Sequence, residues 1–197
     1  MRVLVIDNGS KYLQTLLNFL HEEEVIVLKW STQAVLGAGS YDGVIFSGES
    51  ANSIVEDEEK YEKEIAVIKS IDKPILGVCL GFELMAYLYG AEMKHVKVRE
   101  ALSMDIRIVK NDPIFNHIPV LQVYGDNRWV IDRPSVFFEV LGKSDDGIEI
   151  VKHKDKPMYG LQLHPEIVVD KTVAETLFHN FISIAKSYEY KQRNERF

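Results

Sequence analysis

The sequence predicts an α/β fold: an open, mostly parallel sheet flanked by helices, with an added antiparallel β portion. Strand-like apolar runs alternate with segments of helical spacing as far as Gly90, and the run Pro74-Ile75-Leu76-Gly77-Val78 is apolar throughout. Beyond Gly90 the chain turns to closely spaced β-rich pieces. Alternation implies parallel pairing, because a crossover helix returns the chain to the end of the sheet where the strand began. A strand covered by helices on both faces loses its polar side and reads as an unbroken apolar run. The later pieces follow one another without helical segments between them, so they read as hairpins added to the sheet.

Taken in order, Val3 to Ile6 is a strand closed by the turn cluster Asp7-Asn8-Gly9-Ser10, and Tyr12 to Leu20 follows with helical spacing. Val25 to Trp30 and Tyr41 to Phe46 are the next strands, the second ending in the small polar turn Ser47-Gly48-Glu49-Ser50. Glu56 starts a helix that reaches Ile71, with Ile65, Val67, Ile68 and Ile71 as its apolar stripe, and Pro74 stops it. Pro74 to Val78 is the buried strand, and Leu80 to Tyr89 resumes a helical pattern. The β-rich pieces are Ser103 to Val109, Val120 to Tyr124, Phe137 to Gly142, Ile148 to His153 and Met158 to Leu163. Val173 to Ala185 is a final helix with Leu177, Phe178, Phe181 and Ile184 on one side, and the charged tail Lys186 to Phe197 is expected to fray. The acidic stretches Glu22-Glu23-Glu24 and Glu56 to Glu64 read as solvated helix faces. With no repeat, low-complexity tract or linker, residues 1–197 are expected to form a single domain.

Composition narrows the function classes. Lys and Arg number 23 against 30 Asp and Glu, a formal net charge of −7, which argues against a surface held to nucleic acid by phosphate contacts. No apolar run approaches the roughly 18 residues of a membrane span. The strand-like start leaves no room for a signal peptide, so the expected location is cytoplasmic. With one cysteine there is no internal disulfide. The chain has no H-E-x-x-H and no Cys-His cluster, and His164 with Glu166 would be too few ligands for a catalytic zinc, so no metal site is expected.

The single thiol sits in a telling place. Cys79 lies between Gly77 and Gly81 in G-V-C-L-G, at the junction of the buried strand with a helix, the arrangement of a G-x-S-x-G nucleophile elbow. A sharp turn there lifts the side chain above the sheet edge, and small flanking residues are needed where neighbouring chains approach. The free N–H groups and positive dipole end of the following helix stabilise a thiolate. The N–H of Leu80 can also face a developing oxyanion.

A thiol nucleophile needs a base. Of six histidines, His164 stands out because it follows the strand Met158 to Leu163 within Leu163-His164-Pro165-Glu166, where Pro165 ends the ladder. Residues two apart in an extended segment point to the same side, so Glu166 can hold the ring of His164 in one tautomer. Cys79, His164 and Glu166 thus form a candidate catalytic triad whose members fall at predicted strand ends.

These residues resemble the class I, or triad, glutamine amidotransferase family in G-V-C-L-G at Gly77 to Gly81 and Y-G-L-Q-L-H-P-E at Tyr159 to Glu166. Asp7-Asn8-Gly9, Ile45-Phe46-Ser47-Gly48, the order of elements and the length extend the likeness over nearly all of the chain. Within the family, the D-N-G start and Ile148 to His164 resemble the stand-alone glutaminase subunits of two-subunit GMP synthases. The resemblance implies a class I glutamine amidotransferase-like fold in which Cys79 attacks the side-chain amide of glutamine. It implies that His164 carries the proton to departing ammonia, that Glu166 orients His164, and that water then releases glutamate. It further implies that ammonia passes to a separate synthetase. ATP and Mg are expected only on that partner, and this chain, which has no G-x-x-x-x-G-K-[ST] loop, is expected to need no cofactor of its own.

The family pattern also locates the substrate pocket, and there the sequence departs from it. Where the family continues His-Gln after G-V-C-L-G, this chain has Phe82-Glu83; where the oxyanion loop reads Ser-Gly-Gly-Pro, it has Ser47-Gly48-Glu49-Ser50. A second oxyanion N–H can come from this loop, at Gly48 or Glu49, although a Glu49 carboxylate near a forming oxyanion would raise its energy unless it points away. The Ser-His-x-Asp segment falls near Tyr124-Gly125-Asp126-Asn127-Arg128-Trp129, so Phe82, Glu83, Asp126, Asn127 and Trp129 are the candidate substrate-binding residues. Besides a glutaminase, the sequence leaves open a diverged amide or γ-glutamyl hydrolase and a catalytically silent regulatory relative.

Overall fold

The computed structural model describes residues 1–30, 41–49, 53–96, 102–118, 121–125, 129–164 and 171–194. Among them the order is β1 (Arg2–Asp7), α1 (Leu13–Phe19), β2 (Glu24–Lys29), β3 (Gly43–Phe46), α2 (Glu58–Ser70), β4 (Ile75–Val78), α3 (Leu80–Leu88) and β5 (Glu92–His95). There follow β6 (Leu102–Ile108), a 3-10 turn (Pro113–Phe115), β7 (Leu121–Gly125), β8 (Trp129–Arg133), β9 (Phe138–Lys143), β10 (Ile148–His153), β11 (Met158–Leu161) and α4 (Lys171–Asn194).

The sheet runs β2-β1-β3-β4-β11-β10-β9-β6-β7, with β8 pairing off this path with β10 and β5. The pairs from β2 through β11 are parallel, and every pair beyond β11 is antiparallel. This is the α/β architecture the sequence predicts. The order places β1 between β2 and β3, so the chain leaves β1 first to one side and later to the other. That reversal opens a crevice at the carboxyl ends of the strands.

The period-two alternation of the strands decides which layer each side chain fills. Val3 and Val5 of β1, Ile45 of β3, Leu76 and Val78 of β4 and Leu161 of β11 join α1 and α4 in one core. Leu4 and Ile6 of β1, Phe46 of β3 and Met158 of β11 join α2 and α3 in the other. Helix α3 is buried at every residue from Leu80 to Ala86, which explains its nearly unbroken apolar sequence.

Four expectations are corrected. The tail does not fray at Lys186: α4 continues to Asn194, held to the body by Lys73 to Glu189 at 2.7 Å and Lys186 to Glu23 at 2.6 Å. Glu23 is no solvated residue, since its carboxylate also receives the N-terminal ammonium. Glu64 is buried on the inner face of α2. Strands β5 and β8 lie in segments where the sequence pattern predicts no element.

Candidate active site

Only Cys79 separates β4 from α3, and it turns the chain with φ 49 and ψ −109. This backbone costs a non-glycine residue about 1–3 kcal/mol and persists only where the surroundings enforce it. Here the Cys79 N–H donates to the Leu161 carbonyl at 2.7 Å, tying the elbow to β11, and its carbonyl accepts the first helical bond from the Glu83 N–H at 2.9 Å. The flanking glycines let α3 approach at backbone distance. A Cβ on Gly77 would stand 2.6 Å from the Gly81 backbone, and one on Gly81 would stand 2.5 Å from the Phe46 carbonyl oxygen.

His164 follows β11, whose carboxyl end is adjacent to that of β4. Its ring is buried and meets the edge of Tyr12 at 5.6 Å between centroids. Gly48, at the carboxyl end of β3, lies beside both Cys79 and His164. A Cβ built there would lie 3.1 Å from Cys79 Cβ, 3.0 Å from His164 Cε1 and 3.7 Å from His164 Nδ1. Three adjacent parallel strands thus deliver the thiol, the imidazole and a glycine loop to one point. His153, the other buried histidine, has its Nδ1 occupied by the N–H groups of Asp155 and Lys156, both at 3.1 Å.

The glycine loop is fixed from beneath. Ser47 N–H donates to the Ile6 carbonyl at 3.0 Å, Asn8 N–H donates to Ser47 Oγ at 2.9 Å, and Asn8 Nδ2 donates to the Ser47 carbonyl at 2.9 Å. Among the described hydrogen bonds, Gly48 accepts from Ser47 Oγ and its own N–H donates none. Leu80 opens α3, so its N–H has no intrahelical acceptor. Leu80 follows Cys79 directly, and Gly48 lies beside it.

The Glu49 side chain is bound to α2. Its carboxylate accepts from Lys60 Nζ at 3.1 Å and from the Tyr61 hydroxyl. Burial, and then the hydrogen bond to Glu49, push the Tyr61 phenol up. Glu64 lies on the same helix with both carboxyl oxygens buried and without a hydrogen-bond partner among the described residues. Its burial pushes its acid up to about 7, the nearby Asn8 amide acting weakly against this and the Glu49 charge with it.

The other sequence-predicted residues are placed as follows. Phe82 is fully buried, its ring so close to Gly160 that a Cβ there would meet Phe82 Cδ2 at 2.2 Å. Glu83 is buried and accepts from Gln162 Nε2 at 3.1 Å and from Ser53 Oγ at 3.3 Å. Trp129 faces His95 across the β5–β8 pair, ring to ring at 5.2 Å. Glu166, Asp126 and Asn127 lie outside the described residues. Sequence pattern alone does not single out Asn8, Tyr12, Ser53 and Gln162 as residues that support the site. Asn8 and Gln162 carry one signal: each is a polar residue beside an apolar strand run.

A buried thiol on a strained elbow, with an imidazole and a glycine loop beside it, suits acyl transfer through a thioester. Among the described residues, no group of three or more His, Cys, Asp or Glu could hold a metal ion.

Comparison with known proteins agrees with this chemistry. The model of the family Glutamine amidotransferase class-I matches residues 4–184. The chain belongs to this family. Among amidotransferase relatives, the chain is 31% identical over 189 residues to a glutamine-hydrolyzing GMP synthase subunit of Archaeoglobus fulgidus, covering 94% of this chain and 100% of that protein. The corresponding subunit of Pyrococcus furiosus is 29% identical over 187 residues, covering 92% and 97%. A longer relative, the glutamine-hydrolyzing GMP synthase of Spiroplasma kunkelii, is 28% identical over 185 residues, and this chain spans 35% of it. Among solved structures, a Thermoplasma acidophilum protein assigned as a GMP synthase subunit superimposes with a TM-score of 0.87 at 25% identity, covering 98% of both chains. A glutamine amidotransferase from Thermotoga maritima shares the fold, with a TM-score of 0.72 at 19% identity over 94% of both chains.

Proposed function

We propose that this amidotransferase is a cytoplasmic, single-domain glutaminase subunit that hydrolyses glutamine to glutamate and ammonia and passes the ammonia to a separate synthetase. The observation that carries the reading is the closeness of Gly48 to both Cys79 and His164, with the preceding Ser47 held by the Asn8 bonds. In this reading His164 takes the thiol proton as Cys79 Sγ bonds to the amide carbon of glutamine. The negative charge that develops on the amide oxygen is met by the N–H groups of Leu80 and of the Gly48–Glu49 loop, together worth several kcal/mol in the transition state. The tetrahedral intermediate collapses as the C–N bond breaks, and His164 delivers the proton to the departing ammonia. Water then adds to the thioester with His164 again as base, the C–S bond breaks, and glutamate leaves. Glu166 serves to orient His164.

The relatives are named as one subunit of a glutamine-hydrolyzing GMP synthase, which supports a synthetase partner; in this reading the partner aminates a nucleotide and binds ATP and Mg, and this chain needs no cofactor. A second reading, a hydrolase of another amide or γ-glutamyl substrate, is favoured by Phe82 and Glu83, which replace the expected His-Gln and whose side chains are turned inward. Mass spectrometry after exposure to a glutamine-like chloroketone tests the proposal. One adduct per chain, absent in Cys79→Ser, is the expected result. A Cys79 that is alkylated by iodoacetamide but not by the chloroketone would overturn the glutamine assignment.

A further inference from the structure

We infer that Glu83 is a positioning residue, whose buried carboxylate locks together the three segments that bring the glycine loop, the nucleophile and the base to one point. Glu83 sits one helical turn past Cys79, and its N–H donates to the Cys79 carbonyl at 2.9 Å. Its Oε1 accepts from Gln162 Nε2 at 3.1 Å, two residues before His164. Its Oε2 accepts from Ser53 Oγ at 3.3 Å, on the segment that leads from the Gly48 loop into α2. Both long-range contacts join residues far apart in sequence, and Gln162 is itself fixed to β10 by its N–H to the Glu149 carbonyl at 2.7 Å.

The chemistry of the residue fits this task. A carboxylate is purely an acceptor, so one side chain can receive donors from two different segments at once. Charge-assisted hydrogen bonds of this kind are stronger and more directional than neutral ones. The position in the first turn of α3 lets the free N–H end of the helix offset the cost of burying the charge. A carboxylate that accepts from Ser53 and Gln162 acts on the reaction through Cys79 and His164, without needing to touch substrate. The inference deepens the proposed amide hydrolysis but depends on it only for the turnover readout.

The test is an exchange of donor and acceptor. Gln162→Glu alone sets two carboxylates against each other, whereas Glu83→Gln combined with Gln162→Glu restores one donor and one acceptor. With glutamine and the synthetase present, Gln162→Glu should lower kcat by about 10²-fold, the scale of a misplacement near 1 Å. Its KM should change by less than about threefold, and the double exchange should recover most of kcat. A parallel arm without glutamine measures the rate at which iodoacetamide alkylates Cys79, expected to fall about tenfold in Gln162→Glu and to recover in the exchange. If Gln162→Glu does not fold, Ser53→Ala, which removes the hydroxyl that donates to Glu83 and accepts from the Val55 N–H at 3.3 Å, should lower kcat and the alkylation rate together by about threefold to tenfold. A higher KM at unchanged kcat, or an exchange no better than Gln162→Glu, would overturn the inference. The alkylation arm decides even if glutamine proves not to be the substrate.

Discussion

Replacing Gly48 with alanine places a methyl group against the two reactive side chains. Carbon atoms pack best at about 3.5–4.0 Å, whereas the new Cβ would stand 3.0 Å from His164 Cε1 and 3.1 Å from Cys79 Cβ. The groups must therefore part by about half an ångström. The loop cannot easily retreat, because Ser47 is held by the Ile6 carbonyl and by both Asn8 bonds. Cys79 cannot yield cheaply either, since its elbow is pinned at the Leu161 carbonyl. Overpacking of this kind costs about 1–3 kcal/mol of stability, which for a chain of this length lowers Tm by roughly 2–12 °C. The catalytic loss is larger. Displacing the base relative to the thiol costs up to about 10²-fold, and tilting the loop N–H away adds part of the roughly 3 kcal/mol that one oxyanion donor supplies. The expected outcome is a folded variant whose kcat/KM for glutamine, measured by glutamate release with the synthetase present, falls by at least about 10²-fold. A Gly48→Ala protein with kcat/KM within about twofold of the parent would refute the placement of Gly48 beside both nucleophile and base.

Other substitutions separate packing from chemistry. Phe82→Ala empties a fully buried site under Gly160 and should cost about 3–5 kcal/mol in chemical denaturation while leaving KM for glutamine nearly unchanged; a KM effect without loss of stability would return Phe82 to the substrate pocket. Gly81→Ala drives a methyl to 2.5 Å from the Phe46 carbonyl oxygen and should prevent the elbow from closing, seen as loss of the folded state or of Cys79 alkylation. Normal alkylation in a stable Gly81→Ala protein would contradict the close approach of α3. Glu149, whose Oε1 accepts from Ser144 Oγ at 2.6 Å, is pushed up to about 7 by burial, the Ser144 bond acting against this and Asp146 with it. Because this folded value lies above the ordinary 4.5, its contribution is fully present below pH 4.5 and is lost as pH rises through 7, about 3 kcal/mol in all. Glu149→Gln keeps the acceptor for Ser144 and should remove close to one proton from the pH dependence of unfolding between pH 4.5 and 7. An unchanged slope would show that Glu149 is ionised in the folded protein.

The β-branched and apolar runs at Val3 to Ile6, Val44 to Phe46 and Ile75 to Val78 were legible because a strand buried on both faces must be apolar at every position. The elbow was legible because G-V-C-L-G combines a nucleophile with two positions where no side chain fits. Strand β5, Glu92-Met93-Lys94-His95, was not, since it is mostly exposed and exists through its pairing with β8. The end of α4 was hidden for a similar reason. Its charged residues look frayed in isolation, and the ion pairs from Glu189 to Lys73 and Lys186 to Glu23 join segments more than a hundred residues apart.

The sequence by itself determined the fold class, the thiol and the histidine, because periodicity, turn residues and the strand-to-helix junction are local properties of the chain. Tertiary structure alone decided that Gly48 lies beside both Cys79 and His164, that Glu49 is drawn to Lys60 and Tyr61, and that Glu83 answers Gln162 and Ser53. Each of these depends on which strands lie side by side. The sheet order, which puts the ends of β3, β4 and β11 in one row, is set by burial on its two faces.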